Sequence, residues 1–90
     1  MPMEKSLYSD GQKKLQALLR QIRAEAGLSQ ANLAQKLSQP QSFVSKYESG
    51  ERRLDLIEIK KVCSATGIPL KKFIERFEKL TDEAKSEISE

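Results

Sequence analysis

Two short helical patterns, separated by a break too brief to reverse the chain, constrain this sequence more than anything else in it. They lie in the stretch 28–53, LSQANLAQKLSQPQSFVSKYESGERR. Ser29 is a good N-cap, and Leu33, Ala34 and Leu37 behind it share one helical face. The pattern breaks at Ser38-Gln39-Pro40, because proline fixes its own φ and pushes the residue before it out of the helical region. A second pattern begins at Gln41, sets Val44 and Tyr47 three residues apart, and stops at Gly50. The spacing predicts helices over about 30–37 and 41–49. Joined by so short a turn they must cross steeply, which makes the stretch a helix-turn-helix.

The flanking sequence supplies three more helices. The first is expected to start near Ser9, with Gln12 at the capping-box position and Asp10 adding charge to the first turn. Leu15, Leu18, Leu19, Ile22 and Ala26 follow at helical spacing, and Gly27 is the expected left-handed terminator. A fourth helix begins after Asp55, with Glu58 at the capping-box position, places Leu56, Ile59, Val62 and Cys63 at core spacing, and closes at Gly67. A fifth starts at Pro69 or Leu70 with an apolar stripe of Leu70, Phe73, Ile74 and Phe77. The expected organisation is a flexible arm over 1–8, one all-α domain of five helices over 9–80, and an acidic tail over 81–90. The tail reads either as a helical extension from a Thr81 cap or as disordered chain.

Composition removes several kinds of chemistry. Ninety residues allow one small domain and leave little room for an enzyme cleft. Histidine is absent and there is one cysteine, so zinc fingers, imidazole acid–base catalysis and internal disulfides are excluded. No cofactor and no metal is expected. MPMEKSLYSD has no apolar segment of a secretory signal, and no run approaches the ~20 apolar residues of a membrane span. A cytoplasmic, nucleoid-associated location follows. The net charge of +3 is unevenly spread: 1–80 holds 15 basic and 9 acidic residues, a net of +6, whereas 81–90 is at −3. The basic part is the folded part, which suits a polyanionic partner.

Leu28-Ser29-Gln30, Leu33-Ala34, Val44-Ser45-Lys46, Glu48-Ser49-Gly50 and Arg52-Arg53 resemble the helix-turn-helix family of the lambda and 434 repressors and Cro, the xenobiotic-response-element (XRE) family. The resemblance covers roughly 15–77. It implies a five-helix lambda-repressor-like domain whose third helix enters the DNA major groove. The implied base-reading residues are Gln41, Ser42 and Lys46, with Ser45 a weaker fourth: glutamine pairs in a bidentate way with adenine, serine bonds several bases, and lysine reaches guanine or a phosphate. Phe43 departs from the small polar residue usual in the family. Its ring either packs on a thymine methyl or folds back over the second helix. Arg23, Gln30, Arg52 and Arg53 are the implied phosphate contacts, Gln30 also buttressing the third helix. Ordinary alternatives are a solvated helix face, or pairing of Arg52 and Arg53 with Glu48 and Glu51.

Two further departures bear on the turn. Ser38 stands where the family often has glycine, and Pro40 where it has a Ser or Thr cap. Cys63 takes the place of a small buried residue and reads as a packed thiol, with no base present to activate it. The fifth helix commonly builds the dimer contact in this family, which points to Phe77, Leu80 and Ile74 as the interface. Together these features suggest a bacterial or phage transcriptional regulator, most simply a repressor, binding double-stranded DNA as a homodimer on a palindromic operator. The competing reading is a protein-interaction module of the same fold, such as an antitoxin or bridging factor with a protein partner. Nothing in the sequence supports an enzyme.

Overall fold

In a computed structural model, residues 10–89 are described, with side chains to Thr81. They form five α-helices: α1 (Asp10–Glu25), α2 (Gln30–Lys36), α3 (Gln41–Ser49), α4 (Leu56–Thr66) and α5 (Leu70–Ser89). No strand occurs among the described residues. The expected arm over 1–8 and the Ser9 cap lie outside them.

The chain marks its own helix ends. Ser29 Oγ accepts the Asn32 N–H at 3.0 Å while Asn32 Oδ1 accepts the Ser29 N–H at 3.3 Å, closing a capping box on α2. Asp55 and Glu58 do the same for α4, at 2.8 and 2.9 Å. At the other ends, α1 and α4 run into Gly27 and Gly67 at φ +73° and +86°. In each case the next residue's N–H reaches back five positions: Leu28 to Arg23 O at 3.2 Å, Ile68 to Cys63 O at 3.0 Å.

The turn of the motif uses the same closure without glycine. Gln39 N–H donates to Ala34 O at 2.9 Å and Ser38 N–H to Gln35 O at 3.1 Å. Ser38 therefore occupies the left-handed seat, at φ +57°, the one described non-glycine residue with positive φ. This accounts for the sequence departure: the seat favours glycine because a Cβ there crowds the following carbonyl. Pro40 then sits as the cap residue of α3 at φ −69°, ψ 156°, with no side-chain cap bond.

The core forms where α2 and α3 cross and α1, α4 and α5 close around them. Leu18, Leu19 and Ile22 of α1, Leu33 and Ala34 of α2, Val44 and Tyr47 of α3, Val62 and Cys63 of α4 and Phe73 of α5 are buried together. Ala34 is the small residue at the α2 contact, where a larger side chain would force neighbouring helices apart. Leu56 departs furthest from the expected pattern. Leu56, placed at core spacing by the sequence, is 61% exposed, and its neighbour Ile57 is 68% exposed. Leu56 is the first residue of α4, and helical side chains lean toward the N-terminus, so it projects past the packed body.

Candidate nucleic-acid interface

The faces of α3 are divided by its own periodicity. Val44, Tyr47 and Glu48 point inward and are buried. Gln41, Ser42 and Lys46 are exposed. Ser45 is half-buried, and its hydroxyl donates to Ser42 O at 3.3 Å. The outward row of amide, hydroxyl and ammonium groups is thus presented together on one short helix.

Glu48 fixes the other face. Its carboxylate takes Arg23 on both oxygens, from Nε at 2.7 Å and from Nη2 at 3.0 Å. Oε1 also accepts Gln30 Nε2 at 3.0 Å. Its backbone carbonyl accepts Arg20 Nη2 at 3.1 Å and Gln16 Nε2 at 3.3 Å. The side chains of Arg23 and Glu48 are 16% and 3% exposed. A charge so deeply buried requires a paired partner, and here one carboxylate ties α3 to α1 and α2. Arg23 uses Nη1 as well, on Leu28 O at 2.9 Å. Its carboxylate hydrogen bonds raise its pKa further above the usual value. Arg23, expected at a DNA phosphate, is thus engaged with Glu48 and Leu28 O, and Gln30 reaches the third helix through Glu48.

Glu48 is the residue that sequence reasoning passed over. The signal was available: Val44, Tyr47 and Glu48 share the i, i+3, i+4 face, so a charge lay on an apolar stripe. Beside Glu48, the Tyr47 hydroxyl is buried and has no hydrogen-bond partner among the described residues. Burial raises its pKa.

The loop after α3 is ordered by a second ion pair. Arg52 Nη1 and Nη2 donate to Glu58 Oε1 and Oε2 at 3.1 and 2.9 Å, and Nη1 also donates to Arg53 O at 2.9 Å. Its partner is thus the α4 capping carboxylate and not Glu48 or Glu51. The hydrogen bonds from Arg52, then that from the Asp55 N–H, hold Glu58 below its usual pKa. The Arg52 guanidinium carbon lies 4.8 Å from the centre of the Phe43 ring. Phe43 meets Tyr47 edge-on, 5.6 Å between centroids and 76° between planes. Phe43 is half-buried between these two neighbours, one of them the arginine that the sequence reading had assigned to phosphate. Arg53 is exposed on the same loop.

Of the three residues expected at a dimer contact, Phe77 is half-buried against the core, and Ile74 and Leu80 are 37% and 38% exposed. The Leu80 carbonyl accepts Lys14 Nζ at 2.9 Å. Among the described residues no group of three or more Cys, Asp or Glu side chains is arranged to hold a metal ion. Cys63 is buried, and burial pushes its thiol up to about 11, far from a reactive thiolate. No described helix is long and apolar enough to cross a membrane.

An α2–α3 pair packed together across a short turn, with a polar outward face on its second helix and arginines beside it, defines a DNA-binding helix-turn-helix domain. The helix-turn-helix family model matches residues 19–73, more than half of the chain, and the chain belongs to that family in its XRE form. It is similar to a solved structure described as an XRE-family like protein from Pseudomonas syringae pv. tomato str. DC3000. The identity is 37%, the match covers 90% of this chain and 99% of that one, and the TM-score is 0.80. None of the curated proteins matches significantly. Membership makes this chain a DNA-binding transcription regulator of XRE type, a regulatory fold that is not typically enzymatic.

Proposed function

We propose that the chain is a repressor that binds a palindromic operator as a homodimer, with α3 of each copy in the major groove. The supporting observation is the division of α3: Gln41, Ser42 and Lys46 are exposed together while Val44, Tyr47 and Glu48 are locked inward. Gln41, Ser42 and Lys46 then read base edges, with Ser45 and Phe43 at the margin of the contact. Arg53, Arg52 and the first turn of α2 at Gln30 face the backbone and set register. Ile74, Phe77 and Leu80 on α5 supply apolar surface for the second copy. A two-fold operator places the recognition helices about 34 Å apart.

Selection of sites from a random duplex pool at two salt concentrations tests this. The expected result is a palindromic site with salt-sensitive affinity. Gln41→Ala or Lys46→Ala should then lose about 1–3 kcal/mol at one base position, whereas Arg53→Ala should weaken all sequences evenly. Binding without any enriched sequence would reduce the protein to a phosphate-binding surface. No binding at either salt would favour the protein-interaction module.

A further inference from the structure

The Arg52–Glu58 pair sits at the junction of three functions: it caps α4, shapes the loop after the recognition helix, and covers the ring of Phe43 on that helix. The carboxylate end has an anchor of its own. Glu58 Oε1 is oriented by the Asp55 N–H at 2.9 Å, so the carboxylate waits in place without Arg52. The guanidinium is then held end-on by both carboxylate oxygens, by Arg53 O, and face-on by Phe43. Bidentate charge-assisted bonds of this kind are the strong, directional sort. Yet the pair is not sealed: the side chains of Arg52 and Glu58 are 41% and 26% exposed. A phosphate oxygen can therefore compete with Glu58 for the same N–H groups.

We propose that Glu58 is a positioning residue for DNA discrimination, keeping Arg52 against Phe43 and yielding it to a phosphate only when the duplex is seated against α3. This rests on the regulator reading above and assigns a device within it. Moving Arg52 to a phosphate replaces one anionic partner by another and strips the ring of its cover. It also leaves the Glu58 carboxylate facing a polyanion. The exchange is unfavourable on a loosely held duplex and becomes favourable only when contacts from α3 bring a phosphate to the guanidinium. Arg52 then adds affinity to matched DNA and withholds it from the rest. Without Glu58, Arg52 would act as an ordinary cation on any backbone.

The test is an anisotropy titration of the full chain on a selected duplex and on a shuffled duplex over a range of salt. Glu58→Gln is the central variant, because glutamine still accepts the Asp55 N–H and preserves the α4 cap. It should tighten binding to shuffled DNA by roughly 3–10-fold at low salt, and steepen the slope of log affinity against log salt by about 0.9, the value for one added phosphate contact. The selected duplex should gain less, so the ratio between the two falls. Arg52→Ala alone should weaken the selected duplex and leave the shuffled one unchanged. Arg52→Ala combined with Glu58→Gln should return the shuffled-duplex slope to that of the parent, which loss of a merely structural ion pair would not do. An unchanged or shallower slope in Glu58→Gln overturns the proposal. So does a double variant that keeps the gain, since that would trace it to lost negative charge alone. If site selection enriches no sequence, the regulator reading falls. The shuffled-duplex slopes still decide in that case whether Glu58 restrains Arg52.

Discussion

The two ends of α3 are built on opposite principles. The C-terminal end is held from every side: Tyr47 and Glu48 are buried, the Glu48 carboxylate carries Arg23 and Gln30, and its carbonyl carries Arg20 and Gln16. Gly50 ends the helix at φ +92°, with the Gln16 amide 3.0 Å from where a Cβ would stand. The N-terminal end has almost none of this. Pro40 offers no side-chain cap, and Gln41 and Ser42 are exposed. A helix anchored at one end and bare at the other can offer side chains to a ligand without shifting under the load. The exposed Gln41 and Ser42 side chains stand on the end left open to a ligand.

The contrast breaks most completely at Glu48. Glu48→Ala strands Arg23 in the interior and should cost about 3–5 kcal/mol in chemical denaturation, a large share of the stability of a small domain. The paired change Arg23→Met with Glu48→Leu should recover most of that loss while α3 remains folded; a double variant no more stable than Glu48→Ala would show that Gln30 and the two carbonyl bonds need the carboxylate. Gly50→Ala comes next, at about 1–2 kcal/mol from the left-handed backbone, with the Gln16 side chain forced to move. Ser38→Gly works in the other direction. Relief of the left-handed Cβ, less the added freedom of the unfolded chain, should raise stability by up to about 1 kcal/mol, read as a higher melting temperature. At the bare end, Gln41→Ala should leave stability within about 0.5 kcal/mol even though it lies on the proposed DNA face. A larger loss there would mean that the two ends are not separately assigned.

Much of this was legible in the residues, for local reasons. Caps and terminators act within one turn, so Ser29, Asp55, Gly27 and Gly67 mark helix ends without knowledge of the rest of the fold. The bounds 41–49 for α3 needed only Pro40 and Gly50. What escaped was pairing across the chain. Arg23 meets Glu48 from 25 positions away. Arg52 passes over nearby Glu51 for Glu58, because the capping box has already oriented that carboxylate. Phe43 posed a choice between base and second helix; its ring lies edge-on to Tyr47, one turn along α3, and beneath Arg52, which the folded loop brings to it. Leu56 failed for a different reason: periodicity gives a face but not how far neighbouring helices extend along it.

The ion pairs also settle how the protein responds to acid and base. Among the described residues they are arginine–carboxylate or lysine–carboxylate pairs, and histidine, the side chain that ordinarily titrates between pH 5 and 8, is absent from the sequence. The single thiol has been pushed up to about 11. Glu58 and Glu25 are held below their usual value of 4.5 by Arg52 and Arg76. A carboxylate whose folded pKa is depressed stabilises the fold above its unfolded value, and that contribution is lost as pH falls through the folded one. Melting temperature should therefore be level across the neutral range and decline only below about pH 4.5. Histidine is the side chain that would ordinarily take up a proton near neutrality, and without it the folded domain has no ordinary means of reading a drift in cellular pH.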